Sequence, residues 1–114
     1  MKLSEIVASL DLIPLTQVTG FENIDATNGY ASDLLSCVMA GAKPNSVWVT
    51  LMAHMNIVAV AALLEVSAII ITENAQPDPA TIAKANQQSI VLLSTPLSTF
   101  EVAGRLWAMG LPAG

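Results

Sequence analysis

Residues 44–64 read PNSVWVTLMAHMNIVAVAALL, a stretch without a single fully charged side chain. A membrane-spanning helix needs about 20 mostly apolar residues, so the length alone permits one. Polar residues interrupt the first half, however, and no Lys/Arg-rich segment flanks either end. The composition also changes from the β-branched and aromatic VWVTL to the Ala- and Leu-rich VAVAALLE. The stretch therefore predicts a buried strand followed by a helix, and no membrane span.

The same alternation continues along the chain. SAIIITEN and SIVLLS lack polar alternation, which is typical of strands buried on both faces. Pro14 places the strand at LIPLT on a sheet edge. We predict strands near 12–16, 22–26, 46–51, 67–72 and 90–94, and helices near 3–10, 32–40, 56–65, 79–88 and 97–109. This order predicts an α/β fold with one domain over residues 1–114: a single three-layer sandwich whose mostly parallel five-stranded sheet is flanked by helices.

Local signals refine the helices and turns. Asp78-Pro79 and Thr95-Pro96 are typical helix starts, and Glu101 follows Ser98 at capping-box spacing. Asn28-Gly29 predicts a turn, after which Ser32 or Asp33 caps the next helix. Cys37 is expected to be a small core residue of that helix. The last helix is expected to bury one apolar face, formed by Leu97, Phe100, Ala103, Leu106 and Trp107.

Charge and cysteine content limit the partners. A net charge of −5 without a local basic cluster excludes nucleic acid and anionic membrane surfaces as expected partners. The single cysteine forms no intramolecular disulfide, and the first ten residues lack the features of a secretory signal, so we expect a cytoplasmic protein. Only 11% of residues are charged, which leaves apolar surface outside and predicts a homodimer. The expected contact residues are Leu34, Leu35, Val38, Met39, Val47 and Trp48.

Motifs for catalysis are missing from the sequence. It contains no G-x-x-x-x-G-K-[ST] phosphate loop, no G-x-G-x-x-G after a strand and no G-x-S-x-G elbow. One histidine and one cysteine are too few for the usual metal-binding spacings. We therefore expect no enzyme activity, no cofactor and no metal.

A ligand site is expected where the parallel strands end, because helix N-termini and backbone N–H groups gather there. The loops at 52–56, 72–78 and 94–99, joined by 27–33, supply hydroxyls, amides and one imidazole but few cations. They suit a small neutral or anionic ligand. The candidate ligand-binding residues are Asn28, Gly29, Ser32, His54, Asn56, Thr72, Asn74, Thr95 and Thr99.

His54 has two interpretations. As the only histidine at a strand–helix junction, it is a candidate ligand contact or pH-sensitive group. The alternative is a structural histidine that hydrogen-bonds backbone at the start of a helix.

Three blocks carry a family resemblance: NGYASDLLSCVMAGA, VWVTLMAHMNIVAVAALLEVSAIIIT and LLSTPLSTFEVAGRL. Together, over about residues 1–111, they resemble the DRTGG domain family in its short standalone form. The resemblance implies a fold similar to the N-terminal domain of HPr kinase/phosphorylase, a commonly dimeric state and association with kinase-like or redox enzymes. It also implies that the Asp-Arg position of the motif falls on His54-Met55 and the Thr-Gly-Gly position on Thr72-Glu73-Asn74, where only the Thr matches.

Two functions follow. The first is a non-catalytic regulatory or sensing domain that binds a small metabolite, nucleotide-like and anionic compounds included, at the strand-end loops and signals to a partner protein. The second is a structural or adaptor protein that acts only through protein–protein contacts.

Overall fold

A computed structural model describes all 114 residues of the chain. The helices are α1 (Leu3–Leu10), α2 (Leu35–Gly41), α3 (Asn56–Leu64), α4 (Pro79–Gln87) and α5 (Thr99–Ala108). The strands are β1 (Ile13–Pro14), β2 (Asn28–Ala31), β3 (Ser46–Thr50), β4 (Ala68–Ile71) and β5 (Leu92–Ser94). A short 3-10 turn covers Phe21–Asn23.

The strands form one sheet in the order β1-β5-β4-β3-β2. Strands β2 to β5 are parallel to one another, whereas β1 pairs antiparallel with β5. This confirms the predicted mostly parallel five-stranded sheet and the edge position of Pro14. Because four strands run the same way, their C-terminal ends share one side of the sheet, here called the carboxyl edge. Their N-terminal ends share the other, the amino edge.

Helices cover both faces of the sheet. Successive strand residues point to opposite faces, so Val47 and Val49 pack with α1 and α5, whereas Trp48 packs with α2, α3 and α4. All five residues of β3 and all four of β4 are buried. Burial on both faces explains the uninterrupted apolar runs in the sequence and confirms the three-layer sandwich.

Two helix starts are capped by their own side chains. The Asp78 carboxylate accepts a hydrogen bond from the Thr81 N–H at 2.8 Å, with Pro79 at the first helical position. The Ser98 hydroxyl accepts one from the Glu101 N–H at 3.1 Å. The Asp78 cap and the Ser98 spacing are thus confirmed. The start predicted at Thr95-Pro96 is wrong, because these residues form a turn before the cap.

The region around β2 differs from prediction. No strand occupies 22–26, and Asn28-Gly29 is the beginning of β2 instead of a turn. The four residues of β2 pair with Ser46–Val49 of β3, so tertiary pairing overrides the local turn preference of Asn-Gly. On its outer side, β2 meets the C-terminal segment, where the Gly29 N–H donates to the Pro112 carbonyl at 2.8 Å.

Neither Ser32 nor Asp33 occupies the cap position of α2, which is taken by Leu34. Ser32 Oγ accepts from the Leu34 N–H at 3.1 Å, within the preceding turn. Asp33 instead binds the loop after β3, as described below.

Several predicted core positions face outward. The inward side of α2 carries Val38, so Cys37 is exposed and its assignment to the core was wrong. Helix α5 buries Val102 and Leu106, one turn apart. This places Phe100 and Trp107, which are 89% and 68% exposed, on the opposite side of the helix.

Part of the predicted dimer surface is also wrong. Val38, Val47 and Trp48 are fully buried inside the chain, so they are not free to contact a second copy. Leu34 and Met39 do remain exposed. None of the helices has the length and apolar character that crossing a membrane requires.

Candidate functional site

Most of the predicted site residues gather at the carboxyl edge. Ser32 follows β2, His54 and Asn56 follow β3, and Thr72 follows β4. Asn74 lies in the same loop as Thr72, while Thr95 and Thr99 follow β5. Asn28 and Gly29 lie elsewhere, because they begin β2 and therefore stand at the amino edge.

Backbone and threonine hydrogen bonds join the loops after β4 and β5. The hydroxyls of Thr72 and Thr99 are 2.6 Å apart. The Asn74 N–H donates to the Thr95 carbonyl at 3.1 Å, and the Thr95 hydroxyl accepts from the Leu97 N–H at 3.1 Å. Since Thr72 and Thr95 are also buried, their side chains hold the loops in shape and are not available to a ligand.

Glu73 makes a contact at the carboxyl edge that the sequence reasoning missed. Its Oε2 accepts a hydrogen bond from the Thr99 N–H, in the first turn of α5, at 2.8 Å. A carboxylate is favourable at a helix N-terminus, where the dipole and unpaired N–H groups attract negative charge. The same location would attract an anionic group of a ligand. The carboxylate of Glu73 therefore fills the place at the α5 N-terminus where an anionic ligand group could bind.

The backbone of this loop keeps a glycine-like conformation. Glu73 and Asn74 have φ angles of 60° and 57°, in the left-handed region that glycine adopts without strain. These are the two positions that the resemblance aligns with the glycines of Thr-Gly-Gly. The loop geometry therefore agrees with that alignment although neither glycine is present.

Asp33 is a second missed position. Its Oδ1 accepts from the Thr50 hydroxyl at 2.7 Å and from the Leu51 N–H at 2.9 Å. Next to it, the buried Trp48 indole N–H donates to the Ser32 carbonyl at 3.0 Å. These contacts tie the end of β2 to the end of β3. Sequence spacing gave no signal for them, because Asp33 and Leu51 are 18 positions apart.

His54 is exposed at the start of α3. Its Nδ1 accepts a hydrogen bond from the Asn56 N–H at 3.3 Å. That bond assigns the proton of the neutral imidazole to Nε2, which leaves an N–H donor for another group. The structural role predicted for this histidine is present, and the second nitrogen stays available.

The carboxyl edge is acidic. Asp33, Glu73 and Asp78 lie on its loops. Hydrogen bonds from Thr81 lower the pKa of the Asp78 carboxyl. Asp78 therefore carries its negative charge at neutral pH.

Metal-ligating side chains are not clustered at this edge. No group of three or more His, Cys, Asp or Glu side chains is placed to hold a metal ion. The edge offers exposed hydrogen-bonding groups on a rigid frame, which is an arrangement for binding.

Comparison with known proteins identifies one family and one fold. A family model described as the DRTGG domain matches residues 33–109. The fold is similar to the CBS and DRTGG domains of the regulatory region of a Clostridium perfringens pyrophosphatase, solved in complex with its activator, diadenosine tetraphosphate. The TM-score is 0.69 at 18% sequence identity, with 97% of this chain and 47% of the other covered. No curated protein matches the chain by sequence.

Proposed function

We propose a regulatory, ligand-binding function from the premise that the chain belongs to the DRTGG domain family. This membership carries the proposal. It is supported by the fold likeness to a regulatory region that binds a nucleotide activator. The chain covers 47% of that structure, in which CBS domains are also present, so the pyrophosphatase's own activity is not transferred.

We place the ligand at the carboxyl edge. The exposed side chains of His54, Asn56 and Asn74 present donors and acceptors there, and the imidazole Nε2–H is one of the donors. Ser32, Thr72, Thr95 and Thr99 shape the loops beneath them. The matched residues 33–109 include the loops after β3, β4 and β5.

The preferred ligand is neutral. Anionic compounds were compatible with the sequence, but the Glu73 carboxylate takes the α5 N-terminus and Asp33 and Asp78 add negative charge nearby. Like charges repel a polyanion at such a surface. A nucleoside-like metabolite without phosphate groups meets the same amide and imidazole groups without that repulsion.

The signal passes to a partner protein in this proposal. We expect a homodimer in the cytoplasm, and a kinase-like or redox enzyme as the partner. Exposed apolar side chains support protein contacts. The side chains of Leu63, Phe100 and Trp107 are 66%, 89% and 68% exposed. The same observation favours the second candidate, an adaptor that binds proteins and no ligand.

A thermal-shift screen distinguishes the two candidates. Adenosine serves as the neutral probe and diadenosine tetraphosphate as the polyanionic one. A ligand at about 100 times its Kd stabilises the folded state by about 2.7 kcal/mol, which raises the Tm by several degrees. We expect a neutral metabolite to do so and the polyanion to have no effect.

Variants assign the site. His54→Ala should abolish the ligand-dependent shift with little change in the free protein, whereas Gln88→Ala, after the end of α4, should retain it. If His54→Ala lowers the stability of the free protein by more than about 2 kcal/mol, the histidine is structural. If no metabolite in a broad neutral panel shifts the Tm, the adaptor is the better account.

A further inference from the structure

A groove between α5 and β2 is lined mostly by apolar side chains. Its walls include Ala103 and Trp107 of α5, together with Ala31 of β2 and Val49 of β3. Trp107 stands at the rim, and Phe100 lies on the same outward side of α5. These two are the most exposed of all the large apolar side chains in the chain. The groove and the two aromatic side chains form one apolar surface, here called the α5 surface.

The α5 surface ends in a carboxylate at the carboxyl edge. Ala31 and Val49 are partners in the β2–β3 register, and Asp33 and Leu51 follow them shortly after the strands end. The Leu51 N–H donates to the Asp33 carboxylate at 2.9 Å. This bond holds the carboxylate beside the exposed Leu51 side chain, so a negative charge and an apolar group stand together at this end of the groove.

Glu73 places a second carboxylate beside Phe100. Its Oε2 accepts from the N–H of Thr99, the residue directly before Phe100, at 2.8 Å. The Thr99 hydroxyl is 2.6 Å from that of Thr72, and the Thr72 N–H donates to the end of β3 at 2.9 Å. Asp33 binds the same strand end. The two carboxylates therefore belong to one continuous surface.

Neither of these carboxylates is paired with a cation of the chain. Asp33 and Glu73 each accept hydrogen bonds through one oxygen only, and all the donors are neutral. Of the four basic side chains, two are held in ion pairs with other acids, one precedes β3 at the amino edge and one lies on α4, across the sheet; in that order they are Lys2 and Arg105, Lys43, and Lys84. The charge at this end of the groove is thus left for another molecule.

We propose that the α5 surface docks a partner protein through a segment that carries apolar side chains and, at one end, Lys or Arg. The apolar side chains enter the groove beside Trp107, and the basic ones reach Asp33 and Glu73. Charge complementarity favours this occupant, because a second copy of the chain has a net charge of −5 and few unpaired cations to offer. The proposal rests on the proposed function, whose partner contact it places on α5.

A short amphipathic helical peptide of Leu and Lys is the probe, and its twin with Glu in place of Lys is the control. Trp107 reports binding, because the fluorescence emission of an exposed indole moves to shorter wavelength when the indole is buried. The other tryptophan, Trp48, is already fully buried and gives a constant background. At physiological salt the Lys peptide should shift the emission saturably, whereas the Glu peptide should leave it unchanged.

Variants of four exposed side chains assign the binding surface. Phe100→Ser should weaken binding of the Lys peptide by at least about tenfold, since it removes an aromatic anchor. Leu63→Ser, at the end of α3, removes an equally exposed apolar group outside the surface and should bind as the parent does. Glu73→Gln should weaken binding roughly two- to fivefold, as expected for one exposed ion pair. Glu65→Gln changes the net charge equally and should have no effect.

The proposal is refuted if the Lys peptide gives no saturable shift, if both peptides bind equally, or if Phe100→Ser and Leu63→Ser behave alike. It is also refuted if Phe100→Ser halves the mass measured by static light scattering, because the α5 surface would then be the contact between two copies of the chain. A metabolite-dependent thermal shift alongside any of these results would leave the proposed function standing and overturn the docking surface alone.

Discussion

Replacing Glu73 and Glu65 by glycine, in two separate variants, isolates the contribution of the Glu73 carboxylate to the carboxyl edge. Both glutamates have left-handed backbone, with φ angles of 60° and 57°, and both are exposed. Glu65 ends α3 and is held through its backbone, whose carbonyl accepts from the Asn45 N–H at 2.9 Å. Glu73 differs by its side-chain hydrogen bond to the Thr99 N–H.

The expected magnitudes follow from these contacts. Left-handed backbone costs an L-residue roughly 1–2 kcal/mol, and glycine removes this cost. Glycine also makes the unfolded chain more flexible, which lowers the stability of the folded state by about 0.4–1 kcal/mol. Glu65→Gly should therefore raise the free energy of unfolding by about 0.5–1 kcal/mol. Glu73→Gly gains the same amount but loses a hydrogen bond at a helix N-terminus, which contributes about 1 kcal/mol. Its net effect should be near zero.

Urea denaturation measures the difference. With a slope of about 2 kcal/mol/M, the two midpoints should differ by about 0.5 M. Glu73→Gln keeps the left-handed backbone and an acceptor oxygen but loses the charge, so its midpoint should lie slightly below that of the parent. Equal midpoints for Glu65→Gly and Glu73→Gly would refute the reasoning, because the carboxylate would then contribute nothing at the α5 N-terminus.

Two further predictions concern pH and assembly. The pKa of Asp78 is lowered in the folded state, so the stabilising effect of its carboxylate is fully present above the ordinary carboxyl pKa of about 4 and is lost as the pH falls through the lowered value. The difference in urea midpoint between the parent and Asp78→Ala should therefore be constant near neutral pH and vanish in acid. A difference that persists at low pH would contradict this. Static light scattering should give about twice the 11.9 kDa of one chain, and Leu34→Asp with Met39→Glu should halve that mass if α2 forms the contact; a parent mass near 11.9 kDa would contradict the dimer.

The sequence predicted the central strands well because their signal is local and strong. The predictions 46–51, 67–72 and 90–94 compare with Ser46–Thr50, Ala68–Ile71 and Leu92–Ser94 in the structure. Burial on both faces requires a continuous apolar run, and each of these segments contains one. Strand β2 lacks such a run, since only Asn28 of its four residues is buried. Its pairing with β3 decides its conformation, and that contact is not visible in the local sequence.

The candidate site was predictable in position and less so in detail. Parallel strands place their following loops together, so His54, Thr72 and Thr95 could be assigned to one edge before the structure was known. The roles of Asp33 and Glu73 depend on hydrogen bonds to residues 18 and 26 positions away. No periodicity or motif records such contacts. The same limit explains the misplacement of Asn28 and Gly29, which followed from the turn assigned to them.

The hydrogen bond between Gly29 and Pro112 bears on how the sheet ends. An exposed edge strand is a template on which other chains can add, and this leads to aggregation. At the outer side of β2 the neighbouring backbone is that of Pro112, and at the other edge β1 contains Pro14. Proline has no backbone N–H, so it cannot donate a hydrogen bond to an added strand. Both margins of the sheet thus oppose growth by strand addition and the open-ended polymers that it would produce.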